Sequence, residues 1–460
     1  MAQGKVILVG AGPGDPGLIT VKGYQLIGQA DVILYDHLIP QELLRLARPG
    51  AELISVGKFA SRHTLPQDQI NAMLVKKAKE NKTVVRLKGG DVFLFGRGGE
   101  ELLACHEAGV EFEAVPGITS ALAVPCYAGI PPTHRDCTSD IAFVTGHRKD
   151  DSPINVPKAG TVVFLMSVGN VQKIIDALLK DGWSEQTPIA AIEHGTCYDQ
   201  RVVIGRLNNF MEKAQEAGLR TPAIFVVGRV VELHDTLDWF GRRKNVLVLG
   251  NHPDRYQRLG NIVHRRIIDC VPIGDYTHVD AMLETIHSYD WIVFTSVYGA
   301  TYLFERLFAS GRDIRHIGSV RIAAIGQTTG ARLKEFGLIA DLIPSHESSA
   351  GLLEAFTTLG MVGKRVLLPR AEISTDELPE GLVGMGASVE KIVVYKTVDI
   401  EPEEVDFDYI EQILFTSGST VRAFVKYFGK VPDHIQCYCL GQPTLTVANQ
   451  HGIRAEILPS

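Results

Sequence analysis

Cysteine is scarce in this chain of 460 residues: there are seven, an odd number, and no two are spaced as CxxC. That leaves no basis for a disulfide framework and suits reduced thiols. Cys437 and Cys439 fall on one face of an expected strand, where packing rather than a metal accounts for them. Positive charge is also in short supply. With a net charge of −7, nucleic acid is not an expected partner, although local clusters and backbone N–H groups can still bind carboxylates. There is no apolar run of the roughly 18 residues that a membrane span requires, and no leader-like stretch ahead of Val6. No membrane association is expected, and the cytoplasm is the expected location.

What is present is an ordinary globular composition, 45% hydrophobic and 22% charged, over a length that suits roughly two to four domains. The chain is organised around Val6-Ile-Leu-Val-Gly-Ala-Gly-Pro-Gly-Asp-Pro-Gly-Leu-Ile-Thr20. Four apolar residues run into a turn rich in glycine and proline, and a helical pattern with Tyr24, Leu26 and Ile27 follows, so the stretch reads strand, tight loop, helix. A dinucleotide fingerprint would need a glycine where Asp15 stands, and an acid there would face the pyrophosphate. A P-loop also fails, because Gly17 is followed by Leu18 and Ile19 instead of Lys and Ser or Thr, and two prolines remove donors. What remains is a loop for close backbone approach by a ligand without phosphate, or a tight turn with no ligand.

Further strand ends follow. Asp31-Val-Ile-Leu-Tyr-Asp36 ends in an acid and Leu53-Ile-Ser-Val-Gly-Lys58 in a lysine, each either a solvated loop charge or a functional group on the rim where open α/β sheets bind ligands. Thr83-Val-Val-Arg-Leu-Lys-Gly-Gly-Asp91 runs into a glycine-rich loop in which Gly89 and Gly90 allow contact with the backbone and Asp91 can accept from a ribose or an ammonium group. Glu100 and Glu101 open a helix, where the macrodipole favours acids, and read as structural. Phe112-Glu-Ala-Val-Pro-Gly117 leads to Thr119 and Ser120, whose hydroxyls can cap a helix or bind ligand. These units form one α/β layer. Strands at 141–145, 161–166, 188–192, 202–204 and 223–227 suggest a second.

Together, Val9-Gly-Ala-Gly-Pro-Gly-Asp15, Tyr35-Asp36, Val56-Gly-Lys58, Arg86-Leu-Lys-Gly-Gly-Asp91, Phe95-Gly-Arg-Gly-Gly-Glu100, Val115-Pro-Gly-Ile-Thr119, Gly129-Ile-Pro131 and Thr133-His-Arg135 resemble the uroporphyrinogen-III C-methyltransferases, members of the tetrapyrrole methylases, over about residues 4 to 240. The resemblance implies a fold of two α/β/α subdomains, about 1–117 and 118–243, and a homodimer through this half. It implies an S-adenosylmethionine pocket lined by Pro13, Gly89, Gly90, Asp91, Leu94, Thr119, Ser120, Met166 and Gly195, with Asp36 as proton acceptor, Lys58 as proton donor and no metal. A methyl donor without phosphate matches a glycine loop with prolines where donors would be. A pyrrole carbon attacks in line, so the protein mainly orients the partners, and a rim carboxylate then takes the displaced proton. Two positions depart from the family pattern. His37 replaces an arginine expected to contact substrate, and Val92 replaces a proline, which is expected to loosen the loop.

A basic joint, Trp239-Phe-Gly-Arg-Arg-Lys244, precedes a new strand at Asn245, and a boundary near 243 follows. The remaining residues, 244–460, repeat themselves: Val246-Leu-Val-Leu answers Val366-Leu-Leu-Pro, Phe294-Thr-Ser296 answers Phe415-Thr-Ser417, and Ile325-Gly-Gln-Thr328 answers Leu440-Gly-Gln-Pro443. Each Phe-Thr-Ser ends a strand before a helix, where hydroxyls and free N–H groups either cap the helix or attract carboxylates. With Leu368-Pro-Arg370 and Val393-Val-Tyr-Lys-Thr397, these motifs resemble the uroporphyrinogen-III synthases, which close hydroxymethylbilane with inversion of the last ring. The resemblance implies two similar lobes, about 244–272 with 397–460 and about 273–396, joined by a two-stranded connector. It also implies Tyr395 as the residue assisting loss of the hydroxyl, and Thr295, Ser296, Thr328, Ser417, Gly418 and Ser419 as carboxylate contacts. Arg370 is the expected charged contact to substrate, with a salt bridge at a helix start as the alternative. The expectation is a fusion that makes uroporphyrinogen III and methylates it twice to precorrin-2. The alternatives are a methyltransferase acting on another tetrapyrrole with a non-catalytic second half, and a binding protein.

Overall fold

The computed structural model describes residues 4–57, 65–146 and 154–459. It divides into one unit of residues up to Asn245, with Leu259–Asn261, and a second of Val246–Arg258 and the residues from Ile262 onward.

In the first unit, β1 (Lys5–Gly10), β2 (Val32–Tyr35), β3 (Glu52–Ser55), β4 (Thr83–Lys88) and β5 (Glu111–Val115) form a sheet in the order β3-β2-β4-β1-β5. Every pairing in it is parallel. Sheets of this kind are covered on both faces, so their strands read as unbroken apolar runs, and Val6 to Val9 are fully buried. One face packs Val6, Leu8 and Leu34 against Leu74 of α2 (Gln67–Lys79) and Cys105 of α3 (Gly98–Glu107). The other packs Ile7, Val9 and Ile33 against Ile27 of α1 (Val21–Gln29). The chain therefore leaves β1 and β4, which are neighbours, towards opposite faces, and their carboxyl ends frame the crevice that such a switch point opens.

The second sheet runs β6-β7-β10-β8-β9, from β6 (Ile141–Thr145), β7 (Thr161–Leu165), β8 (Pro188–Glu193), β9 (Arg201–Arg206) and β10 (Ala223–Val227). Only β6 and β7 are parallel; the other neighbours are antiparallel. Its inner face packs Val163, Ile192 and Val226 against Ala121 and Val124 of α4 (Ser120–Tyr127).

The second unit contains two sheets. One has the order β12-β11-β18-β19-β20 and the other β13-β17-β16-β14-β15. Their strands are β11 (Asn245–Val248), β12 (Asn261–His264), β13 (Ile268–Pro272), β14 (Trp291–Phe294), β15 (Arg321–Ala324), β16 (Arg365–Ala371), β17 (Ser388–Asp399), β18 (Gln412–Phe415), β19 (Gln436–Cys439) and β20 (Ala455–Ile457). The repeat is visible as β18–helix–β19–helix answering β14–helix–β15–helix, with β11 beside β18 as β16 is beside β14. The expected lobe borders at 272 and 397 fall inside one ladder. β13 pairs antiparallel with the later part of β17, Cys270 opposite Thr397, so residues 268–272 belong to the second sheet and not to the first lobe. The reason is length: β17 runs 12 residues, enough to pair with β16 at its start and β13 at its end.

Candidate functional site

Three strand-end loops meet in the first unit. A Cβ on Gly10 would lie 2.4 Å from Gly117 Cα, and one on Gly117 would lie 2.2 Å from the Gly90 carbonyl oxygen. Gly90 N–H donates to the Gly12 carbonyl at 2.7 Å and Gly12 N–H returns to that of Gly90 at 3.2 Å. Glycine alone permits such an approach, and Gly12 and Gly90 also take positive φ, +82° and +66°. At Gly89 the atoms nearest an added Cβ belong to Leu38, from 3.6 Å outward. The result is a cradle of close backbone contacts in which Pro13, Gly89 and Gly90 stay partly exposed.

Asp15, which broke the dinucleotide motif, ties the opening loop down. One carboxylate oxygen accepts the Gly17 N–H at 2.7 Å and the other the Tyr127 hydroxyl at 2.7 Å, while Asp15 N–H donates to Thr196 Oγ1 at 3.0 Å. A Cβ on Gly14 would sit 3.2 Å from the Gly195 carbonyl oxygen. The loop carrying Pro13 and the turn carrying Gly195 are thus adjacent. Thr20 caps α1 by accepting from Gly23 N–H, and ahead of it the N–H groups of Ala11, Gly12, Gly17, Leu18 and Ile19 are already taken up by Lys88, Gly90, Asp15 and Pro16.

Asp91 staples its own loop: Oδ1 accepts the N–H groups of Phe93 and Leu94 at 2.8 and 2.9 Å, and Oδ2 that of Gly117 at 3.1 Å. Val92 is fully buried in the core and its carbonyl accepts the Gly98 N–H at 3.0 Å. The expected loosening at this position is therefore offset by packing. Thr119 caps α4, accepting the Ala121 N–H at 3.3 Å; an added Cβ on Gly90 would lie 3.7 Å from the Ser120 nitrogen. Leu94 packs, partly buried, on the α4 cluster. Met166, exposed and left-handed at φ +54°, stands just past β7 and is not joined to the others by these contacts.

Asp36 follows β2, half-buried. Its carboxylate pairs with the Arg86 guanidinium. Arg86 Nε donates to Glu101 Oε1 at 3.0 Å, and Lys88 Nζ reaches the same oxygen at 3.0 Å. Arg86, Lys88 and Glu101 are 2%, 4% and 0% exposed. Burial pulls the Lys88 ammonium below the usual lysine range. Glu101, expected to serve only the start of α3, is instead the anion of a buried charge cluster. Arg86 and Lys88 were missed as a site, although two cations at alternate positions of an otherwise apolar strand are the signal that identifies them. Lys58 lies outside the described residues.

In the second unit, Ser296 caps its helix, Val297–Ala309, by accepting the Gly299 N–H at 2.9 Å. The same hydroxyl is 3.0 Å from the Tyr395 hydroxyl. Tyr395 is buried, its phenol pushed up by desolvation, and it lies 5.8 and 5.9 Å from the rings of Tyr298 and Tyr302. Asn251 Nδ2 donates to Tyr298 at 2.7 Å. Ser417 forms a capping box with Thr420 on the equivalent helix, Gly418–Phe428. Gly418 opens that helix, and Ser419 accepts from Arg422 at 3.3 Å. Thr295 is half-buried beside Ser296. Thr328, in the first turn of the helix Gln327–Glu335, accepts from Arg255 at 2.8 Å. Arg370 is held by Asp376 at 2.9 Å and the Thr375 carbonyl at 3.0 Å, ahead of the helix Glu377–Gly384. Asn251, Arg255, Tyr298 and Tyr302 were not singled out, because their proximity to Tyr395 and Thr328 depends on tertiary contacts.

Residues 5–210 match the family model of the Tetrapyrrole (Corrin/Porphyrin) Methylases and residues 256–460 that of Uroporphyrinogen-III synthase HemD. A porphyrin biosynthesis protein HemD from Ruminiclostridium josui is 34% identical over 478 aligned positions, covering 99% of this chain and 95% of that protein. The chain belongs to both families, one in each half. It is a bifunctional enzyme of tetrapyrrole biosynthesis. An S-adenosyl-L-methionine-dependent uroporphyrinogen III methyltransferase from Methanosarcina barkeri is 51% identical over 241 residues, 51% of this chain and 94% of that protein. Siroheme synthase 1 from Pectobacterium atrosepticum is 50% identical over 246 residues, and the match spans 51% of that protein's length. With the methylase family assigned, the glycine cradle is the position to test for a methyl donor. Among the described residues no helix is long and apolar enough to cross a membrane, and no three His, Cys, Asp or Glu are grouped to hold a metal ion.

Proposed function

We propose that the second unit cyclises hydroxymethylbilane to uroporphyrinogen III, inverting the last ring, and that the first unit methylates this product twice with S-adenosylmethionine, giving precorrin-2 for the sirohaem and cobalamin branch. The observation that carries the first half of the reading is the glycine cradle, where backbone segments approach closely while the N–H groups of Ala11, Gly12, Asp15, Gly17, Leu18 and Ile19 are already engaged and Pro13 and Pro16 have none. That arrangement fits an adenosyl amino acid. When bound, S-adenosylmethionine supplies an electrophilic methyl group. The residues Pro13, Gly89, Gly90, Asp91, Leu94, Thr119, Ser120, Met166 and Gly195 line its pocket in this reading and orient it for in-line attack by a pyrrole carbon. Asp36 accepts the proton released from the alkylated ring, and Lys58 is the donor.

In the second unit, Tyr395 assists departure of the substrate hydroxyl while Thr295, Ser296, Thr328, Ser417, Gly418 and Ser419 receive carboxylates. Helix N-termini with hydroxyl caps suit anions without many cations. Arg370, held by Asp376, contributes a contact only through its remaining donors. The protein acts in the cytoplasm as a homodimer through its first half, without nucleic acid.

The test is a one-pot assay from hydroxymethylbilane with methyl-labelled S-adenosylmethionine. The expected result is label in a type III macrocycle carrying two added methyls. Recovery of the uninverted isomer alone would remove the synthase assignment, and an unlabelled type III product would remove the methyltransferase.

A further inference from the structure

Burying an ion pair in a domain core is commonly less stabilising than filling the same space with apolar side chains. In the first unit three ionisable side chains nevertheless occupy the α2/α3 face of the central strand: Arg86 and Lys88 from β4, and Glu101 from α3. Glu101 Oε1 takes Arg86 Nε, Lys88 Nζ and, at 3.3 Å, Gln67 Nε2, while Oε2 is buried without a partner. All the donors are gathered on one edge of the carboxylate. The Arg86 guanidinium is consequently fixed on three sides: Nε on Glu101, one terminal nitrogen on the Leu87 carbonyl at 3.3 Å, and the other on Asp36. Asp36 is the member that reaches the rim, half-exposed.

We propose that Arg86 and Glu101 are positioning residues for Asp36, Arg86 orienting its carboxylate so that it can take the proton that leaves the methylated ring, and Glu101 fixing the guanidinium that does so. This rests on the assignment of Asp36 as proton acceptor. The ionisable groups packed on the cluster are Arg86, Lys88, Glu101 and, from α3, Cys105, whose thiol burial pushes up to about 11. Without the guanidinium the Asp36 carboxylate loses the partner that fixes its orientation, and without the Glu101 carboxylate the guanidinium loses one of the three contacts that hold it. Both changes therefore act on kcat for methyl transfer and not on the binding of the methyl donor, a split that a role in stability alone does not produce.

The experiment measures kcat and KM for methyl transfer against pH in the full chain carrying Arg86→Gln, Arg86→Lys, Glu101→Gln or Asp36→Asn. Binding of S-adenosylhomocysteine and the cyclisation rate of the second unit serve as folding controls. The expected result is a kcat lowered at least about tenfold in Arg86→Gln, partly restored in Arg86→Lys and lowered less in Glu101→Gln, with KM for S-adenosylmethionine within about twofold of wild type. If Arg86→Gln does not fold, the kcat of Glu101→Gln decides. An inactive Asp36→Asn together with an unchanged kcat in Glu101→Gln overturns the positioning role and leaves the base in place. A fully active Asp36→Asn overturns the base, and the positioning role with it.

Discussion

Asp15 holds three chain segments with one side chain and its own N–H. A hydrogen bond to a charged group contributes about 1.5–3 kcal/mol, so Tyr127→Phe, which removes only the hydroxyl, is expected to lower stability by about 1–2 kcal/mol in denaturant unfolding and to weaken S-adenosylmethionine binding through the adjoining Pro13 loop. His194 offers a pH test nearby. Its Nδ1 is 2.7 Å from Asp199, and that contact holds the imidazole above its ordinary value of 6.5. A base raised in the folded state stabilises below its unfolded pKa and loses that contribution as pH rises through the folded value. The stability difference between the wild type and His194→Gln should shrink as unfolding is measured from about pH 6 towards pH 8.5, by no more than about 0.5 kcal/mol given the exposure of the pair. At this scale the sequence was legible in part. It showed that Asp15 excludes a phosphate loop, because that is a local rule. It did not show the partner Tyr127, 112 positions away. Glu101 was misread because a local rule, the acid at a helix start, sufficed to explain it, whereas only the neighbouring Glu100 stays exposed.

Elements carry a different kind of constraint. The carboxyl ends of β1, β4 and β5 approach so closely that Gly117→Ala would drive its Cβ into a backbone oxygen, which cannot rotate away as a side chain can. The expected outcome is loss of S-adenosylmethionine binding together with a stability loss of roughly 1–3 kcal/mol, read by calorimetric titration and by denaturant midpoint. The two serine caps of the second unit allow a paired comparison. Ser417→Ala and Ser296→Ala should each remove about 1 kcal/mol. Ser296→Ala should further lower the fraction of type III product, because the Tyr395 hydroxyl loses its 3.0 Å neighbour. The strands were readable from their apolar runs, since parallel strands covered on both faces leave little ambiguity. The antiparallel pairings of β8 to β10 and the bridging role of β17 were not, because pairing partners are chosen by tertiary packing and not by the pattern within a strand.

For the whole molecule, the two chemistries reside in units with their own sheets and cores, so damage should be separable. Tyr395→Phe is expected to leave methylation of supplied uroporphyrinogen III within about twofold of wild type while cyclisation falls by at least roughly tenfold. Product chromatography against both isomers reads both effects, and a parallel loss of the two activities would contradict the division of labour. The repeat in the second unit was legible as an order of motifs. Its spatial form is a circular exchange, with β11 and β12 preceding their sheet partners where β16 and β17 follow theirs. No motif records that, because the exchange changes connectivity without changing local sequence.

That exchange bears on how the chain is made. β11 emerges from the ribosome with no partner for its inner edge, since β18 follows about 165 residues later, a wait on the order of ten seconds or more at usual elongation rates. During that interval the sheet β13-β17-β16-β14-β15 can complete itself, while the first strands of its sister sheet stay open. Vectorial synthesis thus predicts an order that the finished molecule hides: the inserted lobe is expected to resist proteolysis first in stalled nascent chains, and the lobe that begins the unit to close last.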